Sequence, residues 1–380
     1  MQTYINRDKQ KVIKQHLEAF PAVALLGARQ VGKSTLAKKI ISGFKNAIYL
    51  DLENPRDLAK LQDPLTFLEA NKHVLICIDE VQRAPEIFQI FRVFLDSNNR
   101  TGQLLLLGSA SRDLIKQSSE TLAGRISYIE IDPFNASEVK DHKKLWLQGG
   151  YPVSYKLEQA LSFDWRINYI RTFLERDIPQ LGFNVPAETL RRLWTMLAHV
   201  NGTILNQSTL AASMGVSVPT IKNYLDILEG TFVIRRLKPF YTNTKKRLIK
   251  SPKIYIRDSG LIHCLLDIES QNDLLGHPAL GGSFEVFVIE SILAKFPRHQ
   301  ASFYRSSSGA EIDLVLEKGS HKIAIEIKSS SAPSLTQGFY ESLKVIQPSK
   351  AFVIAQIDSP FPIKGDVWVH NLDSFLALDL

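Results

Sequence analysis

The sequence predicts an α/β protein. A parallel sheet carrying a phosphate-binding loop comes first, then a small helical segment with two strands, then a second α/β module. Three observations predict this order. The apolar run Ala22–Leu26 passes into the glycine-rich stretch 27–35 and then into a helical stretch at 36–41. A second apolar run, 74–78, ends on Asp79 and Glu80. Near the C-terminus, Asp313 and Glu326-x-Lys328 sit on two apolar stretches separated by a turn. Apolar runs of about four to eight residues bounded by turn residues are what strands covered on both faces look like.

The glycine-rich stretch reads Gly27-Ala28-Arg29-Gln30-Val31-Gly32-Lys33-Ser34-Thr35, the G-x-x-x-x-G-K-S pattern. In a strand–loop–helix context this pattern binds a triphosphate. Gly27 and Gly32 let the backbone bring its N–H groups to phosphate oxygens, and the following helix points its positive end at the same place. Lys33 is expected to reach the β- and γ-phosphates, and the Ser34 hydroxyl to ligate Mg²⁺. Asp79, at the end of the second apolar run, is the expected metal-side carboxylate. Glu80 is the expected general base for an attacking water. ATP and Mg²⁺ are therefore the expected ligands.

The rest of the first 150 residues fills in a sheet and its helices. Residues 6–20 have helical spacing, and 47–52 reads as a strand. Pro55 and Pro64 each open a short helix, where the missing N–H costs nothing. Residues 85–96 carry Ile87, Ile90, Phe91 and Phe94 at amphipathic helical spacing. A third apolar run, 103–107, ends on Gly108-Ser109, so Ser109 is either a sensor near the γ-phosphate or a plain turn serine. Arg125, after Leu122-Ala-Gly, reads as an arginine finger acting in cis or from a neighbouring subunit, or as a structural arginine. Residues 126–131 are a further strand.

A strand inserted between the two motifs, and a glutamate directly after the aspartate, resemble the AAA-like branch of P-loop proteins. GARQVGKST, VLICIDEVQRAPEIF, LLLLGSASRDL and LAGRI together resemble a widespread group of bacterial and archaeal AAA-like ATPases. That group carries a C-terminal domain long described only as of unknown function, and the resemblance covers most of this chain. It implies a homo-oligomer, with a hexameric ring suggested by analogy alone.

Gly149-Gly-Tyr-Pro152 breaks the pattern and sets an expected ATPase domain at 1–150, with a helical lid or linker at 151–184. A winged helix is expected at 185–260. Asn206 caps one short helix and Ser217 the next, with Gly215 in the turn between them. Thr220, Lys222 and Asn223 are expected on the outer face of the second helix. Two strands, 232–237 and 253–257, flank a basic wing of Lys245, Lys246 and Arg247. Lysine and arginine neutralise phosphates and seat such a helix, so DNA is the expected partner. Protein contact is the alternative.

The last module, 275–380, resembles the restriction-endonuclease-like fold and the C-terminal domain of the same ATPase group. Asp313 and Glu326 are expected on adjacent strands, able to hold one or two Mg²⁺ ions. Lys328 shares the face of Glu326 because strand side chains alternate. Glu285 adds a carboxylate from the preceding helix. The site is either a nuclease or a retired one kept for binding.

Bulk properties exclude other classes. No apolar run approaches the roughly 18 residues a membrane span needs, and the N-terminus lacks the apolar core of a signal peptide. Two cysteines, each inside an apolar run, argue against a disulfide scaffold. A cytoplasmic location is expected. The net charge of +7 suits an anionic partner without naming it. The functional expectation is a Mg²⁺-dependent ATPase coupled to DNA binding or remodelling. The alternatives are a nucleotide-controlled switch with little turnover and an ATP-regulated Mg²⁺-dependent nuclease.

Overall fold

The structure is a computed structural model describing residues 4–109, 121–241 and 250–380. The chain divides into two compact units, Met1–Phe134 with Gly230–Phe232, and Asn135–Glu229 with Val233–Leu380.

In the first unit five strands pair wholly in parallel: β1 (Ala22–Gly27), β2 (Ala47–Asp51), β3 (Leu75–Asp79), β4 (Leu104–Ser109) and β5 (Ile126–Glu130). Their order across the sheet is β2-β3-β4-β1-β5. The inner strands β1 and β3, which flank the central β4, are buried along their whole length, as their unbroken apolar runs require. Helix Ile87–Ser97 buries Ile87, Phe88, Phe91, Phe94 and Leu95, and these close over Ile76, Ile78, Leu104 and Leu106.

The register decides where the sheet can do chemistry. Gly27 pairs with Ser109, and Asp51 with Asp79, so these residues gather at the C-terminal edge of the strands. β4 lies between β1 and β3, which sets the tip at Ser109 between the loop and Asp79. Ligands of open parallel sheets bind at this edge.

The second unit begins earlier than the break at Gly149–Pro152 suggested. Helix His142–Gln148 is built into it: the Trp146 indole N–H donates to Ser283 Oγ (2.8 Å), and the Leu147 carbonyl lies 2.9 Å from His263 Nδ1. These bonds reach residues more than a hundred positions downstream, so a local break in composition could not mark the boundary. The segments 185–260 and 275–380, expected as separate domains, fall within this one unit.

Two short helices, Gln207–Met214 and Val218–Gly230, form the expected pair. The Asn206 side chain accepts from Thr209 N–H (3.1 Å), Gly215 ends the first helix in the left-handed region (φ 67°), and Ser217 Oγ accepts from Thr220 N–H (3.3 Å). An antiparallel ribbon follows, β6 (Ile234–Leu237) with β7 (Lys253–Ile256). The remaining strands are β8 (Gln300–Arg305), β9 (Glu311–Lys318), β10 (His321–Lys328), β11 (Lys350–Ala355), β12 (Phe361–Ile363) and β13 (Val367–His370). They form a mixed sheet in the order β12-β13-β11-β10-β9-β8. Helix Leu280–Lys295 packs on its β10 face.

Candidate active site

The loop joins β1 to helix Lys33–Ile41. Gly27 is required by crowding: a Cβ there would stand 2.2 Å from the Ile131 carbonyl oxygen. Gly32 is required by conformation, with φ 95° just before the helix. Gln30 also takes a positive φ, 64°, a strain a non-glycine residue keeps only where its surroundings hold it. Ala28 and Val31 are buried, Arg29 and Ser34 half-buried, and Gln30 and Thr35 exposed.

Lys33 is buried, and its ammonium donates to the carbonyls of Gly27 (3.0 Å) and Ala28 (2.9 Å). Burial brings its pKa down to about 8, opposed by Glu80 and Asp79 and assisted by Arg29. The cation thus stands within the field of both carboxylates, which come from the far side of β4. Burial pushes Glu80 above the usual carboxylate range, with Lys33 opposing it. Glu80 is held in the left-handed region (φ 54°) and its N–H donates to Asp79 Oδ1 (2.9 Å). Its carboxylate accepts from the Gln82 side chain. A half-buried carboxylate with a raised pKa suits a proton acceptor working near neutral pH.

Two residues that sequence reasoning passed over complete the site. Tyr49, on β2, donates its hydroxyl to Asp79 Oδ2 (2.5 Å) and also reaches Ser34. Burial and the Asp79 bond push its pKa up, so it stays a donor. It thereby ties together the hydroxyl and the carboxylate expected on the metal side. The residue was readable only as one position of a strand; the parallel register of β2 with β3 is what brings it to Asp79. Arg7 is buried and donates to the Val31 carbonyl (2.9 Å) and the Asp132 carbonyl (2.5 Å), bracing the loop against the chain leaving β5. Ser34 Oγ and a buried Asp79 carboxylate are hard oxygen donors beside a phosphate cradle, so these residues fit Mg²⁺ accompanying a nucleotide.

Ser109 stands at the tip of β4; its side chain lies outside the described residues. Arg125 lies at the other end of the sheet. Its carbonyl accepts from Ala22 N–H (3.1 Å), at the start of β1 and roughly 16 Å along an extended strand from Gly27. Its guanidinium grips the Asp96 carboxylate on helix Ile87–Ser97 through both Nε and Nη2 (3.0 Å for the latter). The expected finger in cis is therefore corrected: β5 runs parallel to β1, so an arginine entering β5 sits at the edge opposite the loop.

In the second unit Lys222 and Asn223 are exposed on helix Val218–Gly230, while Thr220 is half-buried with its hydroxyl on Ser217 Oγ (2.8 Å). Lys245, Lys246 and Arg247 lie outside the described residues. Glu285, Asp313, Glu326 and Lys328 do come together. Lys328 Nζ donates to Glu326 Oε1 (2.6 Å), and Ile327 N–H to Asp313 Oδ2 (2.9 Å). Burial, with Asp313 adding, raises Glu326 to about 8 and Glu285 to about 7. A residue the sequence reading placed only as a strand opener, Lys253, stands in their midst. Its spacing from Tyr255 on an otherwise apolar strand puts both on one face, which is the signal that could have found it.

Residues 19–140 match a family described as AAA domain, 139–272 one described as Domain of unknown function (DUF8612), and 280–375 one described as Domain of unknown function (DUF4143). The solved Walker-type ATPase PABY2304 of Pyrococcus abyssi superposes with a TM-score of 0.50 at 14% identity, covering 69% of this chain and 96% of its own, a likeness of fold. The chain is 38% identical to Uncharacterized protein Rv2008c of Mycobacterium tuberculosis and to Uncharacterized protein Mb2031c of Mycobacterium bovis. Each alignment covers 98% of this chain and 84% of the relative. The chain therefore belongs to one family with these mycobacterial proteins, and it carries a P-loop AAA domain followed by a C-terminal DUF4143 domain.

Proposed function

We propose that the protein hydrolyses ATP to ADP and phosphate at the 27–35 loop with Mg²⁺, and that turnover is coupled to DNA binding or remodelling by the second unit. The observation that carries the hydrolytic part is the buried Lys33 ammonium within the field of Asp79 and Glu80 at one sheet edge. On this reading the loop N–H groups and Lys33 hold the β- and γ-phosphates. Ser34 and Asp79 would hold Mg²⁺, which would supply a divalent charge against the triphosphate. Glu80 accepts a proton from the water whose oxygen bonds to the γ-phosphorus as the bond to the ADP oxygen breaks. Ser109 contributes a sensor contact from the tip of β4.

The DNA part is supported by the capped helix pair with Lys222 and Asn223 exposed on its second member, by the ribbon β6–β7 that follows, and by the net charge of +7. We read 185–260 as a winged helix, with Lys245, Lys246 and Arg247 as its basic wing, and 275–380 as a restriction-endonuclease-like fold. Because Arg125 is remote from its own loop, a finger role requires a second copy whose nucleotide it meets, which supports a homo-oligomer such as a ring. No helix of the described residues is long and apolar enough to cross a membrane. Two buried free thiols, Cys77 and Cys264, fit a cytoplasmic setting.

The test is ATP turnover by the full chain with Mg²⁺, with and without duplex or single-stranded DNA, repeated with Glu80→Gln. Turnover that rises with DNA and is lost in the variant is expected. Slow turnover that DNA leaves unchanged overturns the coupling in favour of a nucleotide-controlled switch.

A further inference from the structure

The carboxylate cluster of the second unit is where the sequence pattern expects a divalent cation, and the structure puts an ammonium there. Lys253 is the first residue of β7, its side chain only 3% exposed. Its Nζ lies 2.7 Å from Glu311 Oε1, 3.0 Å from Glu285 Oε1 and 3.2 Å from Asp313 Oδ1. The ammonium donates hydrogen bonds to Glu285 and Asp313 and is ion-paired with Glu311, so carboxylates from helix Leu280–Lys295 and β9 surround it.

Several oxygens of the cluster have further partners. Asp313 Oδ2 accepts from Ile327 N–H (2.9 Å). Glu285 Oε1 also accepts from the Tyr255 hydroxyl (2.5 Å). Glu311 Oε2 is paired with Arg305 (3.1 Å), and Glu326 Oε1 accepts from Lys328 (2.6 Å). Glu326 Oε2 is buried without a hydrogen-bond partner. Mg²⁺ needs about six oxygens near 2.1 Å in octahedral array. The space between Glu285 and Asp313 is instead filled by a nitrogen of the same charge sign. Among the described residues no group of three or more His, Cys, Asp or Glu side chains is disposed to hold a metal ion. The residues present do not fit the metal.

We propose that Lys253 is the resident cation of this cluster: its ammonium takes the position of a divalent ion, so the centre binds no catalytic metal and cuts no phosphodiester. Its work is cohesive. It ties β7 to β9 and to helix Leu280–Lys295, fixing the ribbon to the larger sheet. Lysine is suited to this because, charged and enclosed by three carboxylates, it pairs with all of them from one atom. Take it away, and Glu285, Glu311, Asp313 and Glu326 face only Lys328 and Arg305. That leaves an excess of acidic groups, which a divalent cation matches.

The experiment is Mn²⁺ binding to the full chain without nucleotide, by calorimetry and by metal-dependent thermal shift, in four proteins: wild type, Asp313→Asn, Lys253→Ala and the Lys253→Ala/Asp313→Asn double variant. Mg²⁺-dependent cleavage of plasmid DNA is followed in parallel. Wild type and Asp313→Asn are expected to bind Mn²⁺ identically and to leave the plasmid intact. Lys253→Ala is expected to melt lower, to regain stability with Mn²⁺, and to bind the ion at least about tenfold tighter than wild type. The double variant is expected to lose that gain. A wild-type Mn²⁺ site that Asp313→Asn removes, or plasmid cleavage that Asp313→Asn or Glu326→Gln abolishes, overturns the proposal. The wild-type comparison decides the matter even where Lys253→Ala does not fold.

Discussion

Lys33 carries an opposed pair of demands. Its ammonium must be charged to hold phosphate, yet burial makes that charge costly, and its pKa falls from 10.5 to about 8. Between those two values the unfolded chain binds more protons at this residue than the folded one does, so its contribution to stability rises with pH across that window. A phosphate ligand reverses the balance by favouring the charged form. Above pH 8, ATP binding must therefore take up a proton, and affinity is expected to fall by up to about tenfold per pH unit. Titrating ATP between pH 7 and 9.5 against wild type and Lys33→Arg checks this; the variant, charged throughout, should lose the slope. Glu80→Gln should keep ATP binding and lower turnover by about a hundredfold or more, read as kcat with KM little changed. Tyr49→Phe removes one hydroxyl from Asp79. Its expected signature is a several-fold lower kcat with a raised Mg²⁺ requirement and unaltered ATP affinity, since Lys33 is untouched.

At the scale of elements the loop is as good as its bracing. Arg7 links the Val31 carbonyl to the chain leaving β5, and both bonds are made by a buried cation. Hydrogen bonds from a charged donor contribute about 1.5–3 kcal/mol, so Arg7→Ala is expected to cost about 2 kcal/mol in urea unfolding and to weaken ATP binding. Arg7→Lys, which cannot span both carbonyls with one planar group, should recover little. Gly27→Ala tests the opposite contact. Its Cβ would collide with the Ile131 carbonyl, so the ends of β1 and β5 must part. Loss of ATP binding with a lowered melting temperature is expected. The motif residues at 27–35 and 79–80 were legible because each is bound to its neighbours along the chain. Arg7 and Tyr49 were not: nothing near them in sequence says which strand they will meet.

At the scale of the whole molecule, Arg125 separates two kinds of assembly. It lies at the sheet edge away from its own loop and holds Asp96. Were it lent to a neighbour's nucleotide, Arg125→Ala and Glu80→Gln would each be inactive alone, yet mixing them should restore part of the turnover, because mixed assemblies contain intact shared sites. Turnover in Arg125→Ala equal to wild type assigns the residue to its ion pair alone.

What the sequence determined by itself was local: a strand, a glycine-rich turn and a helix in succession, a second strand ending in two carboxylates, and capped helices whose side chains bond within three residues. Such features depend on spacing, and spacing survives without a fold. Only the tertiary structure decided that β4 lies between β1 and β3, that Trp146 belongs to the second unit, and that Lys253 stands among Glu285, Glu311 and Asp313. Those outcomes join residues up to more than a hundred positions apart. Their cause is strand pairing and burial, which bring a charge to a place that its own neighbours in the chain do not specify.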